Sequence, residues 1–307
     1  MNRRITIGVS ACLAGMKVRF DGDDRHDAFL SDTWGPHIDY VSFCPETEAG
    51  LGIPREPMGL VGTGEGSKVV GRETGRDYTA MLTLWASEAA TKMAALDPHG
   101  IILKDKSPSC AWARNGEGAR VAGVFARELA KRMPRTPVID SADLKDRDTR
   151  LDFVRVMFLS ARWRRTLAEG ISPASLAKFH TENRLALMAR NPTLYAAMGR
   201  VAAKPGRWSA TEREKAYGSK LAACLAAPAP VQRIADVFLQ VARQFPEDGA
   251  TEKAGRFSEG IEYFRRGRIE LAGLLAIFNT HSCAQGNYLL KSQTLMNPDS
   301  VELALSC

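Results

Sequence analysis

Ile101-Ile102-Leu103-Lys104-Asp105-Lys106-Ser107-Pro108-Ser109-Cys110 decides the architecture of this chain. The apolar triplet followed by a charged, proline-bearing stretch predicts a short buried strand and then a loop. Cys110 therefore stands just beyond a strand end. Two further cysteines have the same setting. Cys12 follows Ile5-Thr6-Ile7-Gly8-Val9, and Cys44 follows Tyr40-Val41-Ser42-Phe43. Thiols at the exits of three β-like runs can gather on one edge of a parallel sheet, where open α/β sheets carry their chemistry. Three soft ligands without an obvious fourth point to a metal ion or cluster with one open coordination position.

The chain has 307 residues, enough for two domains and a sizeable core. No apolar run is long enough to span a bilayer, so a membrane partner is not expected. The first residues, Met1-Asn2-Arg3-Arg4-Ile5, run straight into a strand without a secretory apolar region. The expected location is therefore cytoplasmic. Six cysteines there argue for free thiols or metal ligands rather than a disulfide framework. Net charge is +7, unevenly placed. Residues 1–144 hold 18 Lys and Arg against 19 Asp and Glu; residues 145–307 hold 24 against 16. A basic second half points to a polyanion, with nucleic acid the first candidate and an inert basic helical surface the plain alternative.

Through residue 140, short strand-like runs alternate with helical stretches. Strands are expected at Ile5–Val9, Tyr40–Phe43, Val69–Arg72, Ile101–Lys104 and Thr136–Asp140. Helices are expected at Ala80–Leu96, capped by Asp77 or Thr79, and at Val121–Arg132. Residues 18–23 read as a loop over the site, and Gly62–Gly66 as a flexible loop or lid. The charged stretch Ser141–Arg150 lacks apolar periodicity. Beyond it, apolar residues recur at helical spacing, with breaks at Pro192, Pro205, Pro228, Pro230 and Pro246. The expected fold class is an α/β N-terminal domain (1–144) with a parallel Rossmann-like sheet, followed by an all-α helical domain (145–307).

Three motifs then stand in order. They are Ser-x-Cys-Leu at Ser10–Leu13, Cys-Pro-Glu with Pro-Arg-x-Pro at Cys44–Pro57, and Lys-x-x-Ser-Pro-Ser-Cys at Lys104–Cys110. With Glu73–Thr79, they resemble the thiouracil desulfidase family. The second half, with Arg162-Trp163-Arg164, Lys178–Thr181 and Tyr263–Gly267, resembles the helical domain often fused to it. The two-domain form is similar to tRNA 4-thiouridine desulfidases. Where the family usually has glycine after the last cysteine, this chain has Ala111.

The resemblance implies a [4Fe-4S] cluster held by Cys12, Cys44 and Cys110, with Glu46 as the acid/base carboxylate and Ser107 beside it. The implied reaction converts C=S and water to C=O and hydrogen sulfide without net redox change, on 4-thiouridine in tRNA. Small thiolated pyrimidines would be minimal substrates. A soft thiocarbonyl sulfur suits an open iron, and a carboxylate can take the proton of attacking water and pass one to the leaving sulfur. Ser109 is a second hydroxyl candidate; Ser107 and Ser109 alternatively cap the loop, and Glu46 a helix start. Lys104, Lys106, Arg162, Arg164, Arg165, Arg265, Arg266 and Arg268 are candidate phosphate contacts for tRNA. Two other readings remain: a desulfidase of free thiolated bases, and a zinc-stabilised RNA-binding protein without turnover. Cys224, Cys283, Cys307 and His180 carry no comparable signal; His180 reads as a packing residue.

Overall fold

The computed structural model describes residues 5–62, 66–114, 120–203, 208–243, 250–282 and 292–306. Residues 63–65, Pro205, Pro246, Cys283 and Cys307 lie outside the described residues. The chain divides into two compact units, Met1–Phe153 and Val154–Cys307.

The first unit is built on four parallel strands in the order β2-β1-β5-β8: β1 (Ile5–Ser10), β2 (Ile38–Phe43), β5 (Gly100–Leu103) and β8 (Val138–Asp140). β5 is buried along its whole length, which explains its unbroken apolar sequence; a strand covered on both faces has no polar side to show. Between β2 and β5 lie α1 (Pro45–Glu48), the antiparallel pair β3 (Met58–Val61) and β4 (Lys68–Gly71), and α2 (Thr79–Leu96). Asp77 accepts from Thr79 N–H at 2.9 Å at the start of α2. Between β5 and β8 lie a short hairpin, β6 (Trp112–Arg114) and β7 (Arg120–Ala122), and α3 (Val124–Arg132).

The stretch expected as one helix from Val121 thus begins as a strand. The change occurs at Gly123, which caps α3 in extended backbone. A Cβ at Gly123 would fall 2.7 Å from Cys110 N and closer still to the Ser109 carbonyl, so only glycine lets the two segments meet. The core gathers Phe43, Leu82, Ala86, Ala90, Met93, Phe125 and Leu129, with the Phe43 and Phe125 rings 4.9 Å apart. Burying a ring such as Phe125 contributes about 2–3 kcal/mol.

The second unit is helical. α4 (Arg147–Ala168) crosses the division and is followed by α5 (Pro173–Glu182), α6 (Arg184–Arg190), α7 (Pro192–Ala202), α8 (Ala210–Ala226), α9 (Val231–Ala242), α10 (Ala250–Arg265), α11 (Leu271–Ser282) and a last helix at Ser300–Leu305. Capping boxes at Ser172 and Ser209 start α5 and α8, and Asn191 caps α7. Pro192 opens α7, where its missing N–H costs nothing. Trp163 packs against Phe179 and Tyr217 at 5.3 and 5.2 Å. His180 stacks on Tyr195 at 4.3 Å, with Nδ1 3.1 Å from the Tyr217 hydroxyl, and burial lowers its pKa. No single described helix is long and apolar enough to cross a membrane.

Candidate active site

The parallel register places the three cysteines. Ser10 pairs with Phe43, and Val9 with Ile102, so β2, β1 and β5 end level with one another. Each of these adjacent strands leads into a segment bearing one cysteine. Cys12, Cys44 and Cys110 all line a single cavity of about 290 Å³, together with Glu46, Lys104, Lys106 and Ser107. Ser10 ties two exits together: its hydroxyl accepts from Lys104 N–H at 3.0 Å and lies against the Cys110 thiol.

The three thiols are free. Burial pushes Cys12 up to about 11, with the neighbouring Cys44 adding to the shift. Burial likewise raises Cys110 well above the ordinary thiol range, with Cys44 and Cys12 both contributing. Raised in this way the free thiols are weak nucleophiles, and as ligands of a metal or cluster they would have to be held as thiolates. Among the described residues, no three His, Cys, Asp or Glu side chains stand close enough to share one metal ion. A cluster makes a looser demand, because each iron takes its own thiolate. Three cysteines around one cavity are a donor set that could serve three irons of a cluster.

Glu46 is held from two sides. Its Oε2 accepts from Arg55 Nε at 2.9 Å and Nη2 at 2.7 Å; its Oε1 accepts from Ser109 Oγ at 3.1 Å. It does not cap α1. That task belongs to Glu48, which takes the Cys44 N–H at 2.7 Å. The two serines divide the roles considered for them. Ser107 Oγ accepts from Ser109 N–H and Cys110 N–H at 3.3 and 3.1 Å, holding the cysteine loop in shape, and also faces the cavity. Ser109 is wholly buried and spends its hydroxyl on Glu46. Lys106 turns the loop through a left-handed backbone at φ 56°, which costs a non-glycine residue about 1 kcal/mol. Ala111 shows no positive φ; its carbonyl accepts from Gly123 N–H at 2.8 Å.

A second carboxylate, Glu56, braces the wall. It accepts from Thr74 Oγ1, Tyr78 Oη and the N–H groups of Glu73 and Thr74, and these bonds, the Thr74 hydroxyl first, pull its pKa down to about 2. The space it fills is the one a side chain at Gly71 would need. The loop at residues 18–23 supplies Val18, Arg19 and Phe20 to the cavity. Ser10 and Arg72 also line it, as does Arg55, which the sequence offers as a weaker candidate than Lys104 and Lys106 for steering phosphate and which the structure binds to Glu46 instead.

The cationic candidates differ in availability. Lys104 Nζ is bound to the Asp105 carboxylate and carbonyl, each at 2.7 Å. Lys106 is exposed at the cavity mouth. Arg162 is paired with the buried Glu302 and lies over Phe158. Arg164 is half-buried and engaged, and Arg165 is exposed. Arg265 pairs with Asp236 at 3.0 Å, Arg266 pairs with Glu262, and Arg268 lies over Tyr263.

The family model for 2-thiouracil desulfurase matches residues 7–141, and the model described as a protein of unknown function (DUF1722) matches residues 184–300. The uncharacterized protein YbbK of Bacillus subtilis (strain 168) is 32% identical over 126 residues, which are 38% of this chain and 78% of that protein. A solved structure described as the [4Fe-4S]-dependent thiouracil desulfidase TudS is 31% identical, covering 46% of this chain and 93% of that one, with a TM-score of 0.37.

Proposed function

Because the chain belongs to the 2-thiouracil desulfurase family, we propose that it is a cytoplasmic, cluster-dependent desulfidase acting on 4-thiouridine in tRNA. The observation that carries the reading is the convergence of Cys12, Cys44 and Cys110 on one cavity beside the Glu46 carboxylate. These three cysteines would hold a [4Fe-4S] cluster. When bound, that cluster supplies a soft Lewis acid to draw the thiocarbonyl sulfur away from carbon.

The chain's own residues do the rest. Glu46 takes a proton from the water that attacks the thiocarbonyl carbon and delivers it to the departing sulfur. The second proton of that water passes to sulfur by the same carboxylate as the new hydroxyl becomes the carbonyl. The sum is one water consumed and one hydrogen sulfide released, with no electron left over. Phe20 offers a half-exposed ring at the cavity wall for a planar base. Arg72 and Lys106 stand at the same cavity, and neither has an acidic partner among the described residues within ion-pair distance. A substrate carrying phosphate suits them better than a bare base.

The basic second half supports tRNA as the carrier of that base. A thiolated base reaches such a cavity by leaving its stack, as other base-modifying enzymes require. Anaerobic reconstitution with iron and sulfide, then parallel assays on thiolated tRNA and free 4-thiouracil, test the proposal. Sulfide release favouring tRNA is expected. Release from the free base alone supports a small-molecule desulfidase, and iron uptake without release from either substrate overturns desulfidation.

A further inference from the structure

Arg55 ties three segments of the chain together at once, two of them in the cavity wall. Nε and Nη2 both donate to Glu46 Oε2; Nη2 also donates to the Val18 carbonyl at 2.9 Å; Nη1 donates to the Gly52 carbonyl at 3.2 Å. Its own N–H donates to the Phe20 carbonyl at 2.9 Å. The Val18 carbonyl is shared, since the Cys44 thiol points to it at 3.8 Å. The Arg55 and Glu46 side chains are 8% and 14% exposed, so solvent does little to loosen the pair.

A carboxylate offers about four lone-pair sites, two on each oxygen. Arg55 fills both on Oε2, and Ser109 takes one on Oε1. One site remains, on Oε1. We propose that Arg55 is a positioning residue for desulfidation: it closes Oε2, leaves Oε1 as the proton-carrying atom of Glu46, and locks the Val18–Phe20 wall to that carboxylate. The inference rests on the acid/base reading of Glu46 given above. It makes the base one-sided and couples its aim to the wall that faces the substrate. Lysine cannot replace this fork, because a point charge does not hold the carboxylate and two carbonyls in one geometry.

The test uses the full-length protein, reconstituted with iron and sulfide, with 4-thiouracil as the probe. Arg55→Ala is expected to keep wild-type iron content and KM within about threefold, and to lose about 100-fold in kcat, the scale of a misplaced catalytic group. Added guanidinium should restore part of that kcat; Arg55→Lys should restore little. A second readout needs no turnover. In cluster-free protein, Arg55→Ala should change the alkylation rate of Cys44 several-fold, because the wall that carries the Val18 carbonyl beside that thiol is no longer held. Unchanged kcat in Arg55→Ala at full iron content overturns the inference. So does equal activity of Arg55→Lys and wild type, or an alkylation rate that does not move. If wild type releases sulfide from neither 4-thiouracil nor thiolated tRNA, the proposed function fails, and the alkylation rate still decides whether Arg55 fixes the wall.

Discussion

The hydroxyl of Ser109 donates to Oε1 of Glu46 at 3.1 Å across 63 residues of chain. One serine of the cysteine loop thus aims the carboxylate beside the next strand's exit, while its neighbour Ser107 shapes the loop. Their alanine variants should fail differently. Ser109→Ala should bind iron normally and lose kcat about tenfold or more, as one aiming hydrogen bond goes. Ser107→Ala should lose about 1 kcal/mol of local stability, the value of a capping hydroxyl, and show reduced iron per chain. Iron counting beside steady-state rates separates them; identical defects in both variants would contradict the division of labour.

Gly123 is the point where α3 meets the cysteine loop. Phe125 N–H donates to the Ser109 carbonyl at 3.0 Å and Gly123 N–H to the Ala111 carbonyl at 2.8 Å. A methyl group there must displace backbone rather than a flexible side-chain end. Gly123→Ala should cost about 1–3 kcal/mol, the usual range for overpacking, and lower cluster occupancy. Thermal unfolding and iron content check this. A variant matching wild type in both would show that the loop yields freely.

Asp140 lies at the end of β8, and its Oδ1 accepts from Trp112 N–H at 2.7 Å. Burial raises its pKa to about 6; the Trp112 bond opposes the rise, Asp143 and Asp105 add to it, and Lys104 relieves it. An unfolded aspartate titrates near 3.9, so the folded chain holds the extra proton between about pH 4 and pH 6. This group's contribution is therefore fully present below pH 4 and lost as pH rises through about 6. Asp140→Asn keeps an oxygen for Trp112 and removes the loss. Denaturant midpoints at pH 7.5 should show a gain of at most about 3 kcal/mol, with no gain at pH 4. A variant no more stable at pH 7.5 would refute the assignment.

The arginines of the second unit will not respond alike to charge reversal. Arg162 neutralises Glu302, whose carboxyl burial raises and Arg162 counters. Removing Arg162 takes the paired charge from a buried carboxylate, leaving it Arg155, and should cost up to about 3–5 kcal/mol, whatever it does to RNA. Arg165 and Arg268 are exposed. Glutamate at Arg165 should leave the melting temperature in place, glutamate at Arg268 should cost about 0.5–1 kcal/mol through its lost contact with Tyr263, and both should weaken tRNA binding. The slope of log affinity against log salt should fall by about 0.7–0.9 per lost phosphate contact, and turnover of free 4-thiouracil should be spared. Equal losses on both substrates would argue against a tRNA surface there.

The strands and the three thiols were legible because their signals are local. Ile101–Leu103 announces a buried strand by composition, and each cysteine stands at a fixed short distance beyond such a run. The place of Glu46 at the cavity was legible from its position two residues after Cys44. The aim of that carboxylate was not. Arg55 lies nine residues from Glu46 and Ser109 sixty-three, and neither pairing leaves a mark on the intervening sequence. The start of α3 was misplaced for a related reason. Val121 and Ala122 suit a helix or a strand; a hairpin pairing with Trp112–Arg114 and the backbone contact at Gly123 decide between them. Charge counts exposed a basic second half, but could not tell Arg162, spent on Glu302, from exposed Arg165.

The most direct test is sulfide release from thiolated tRNA by anaerobically reconstituted wild type and Glu46→Gln protein of equal iron content. The account predicts one sulfide for each thionucleotide lost with wild type. Glu46→Gln should be slower by about 100-fold or more, the scale of a lost general acid/base. Equal rates for the two proteins, or iron-loaded wild type that releases none, would contradict it.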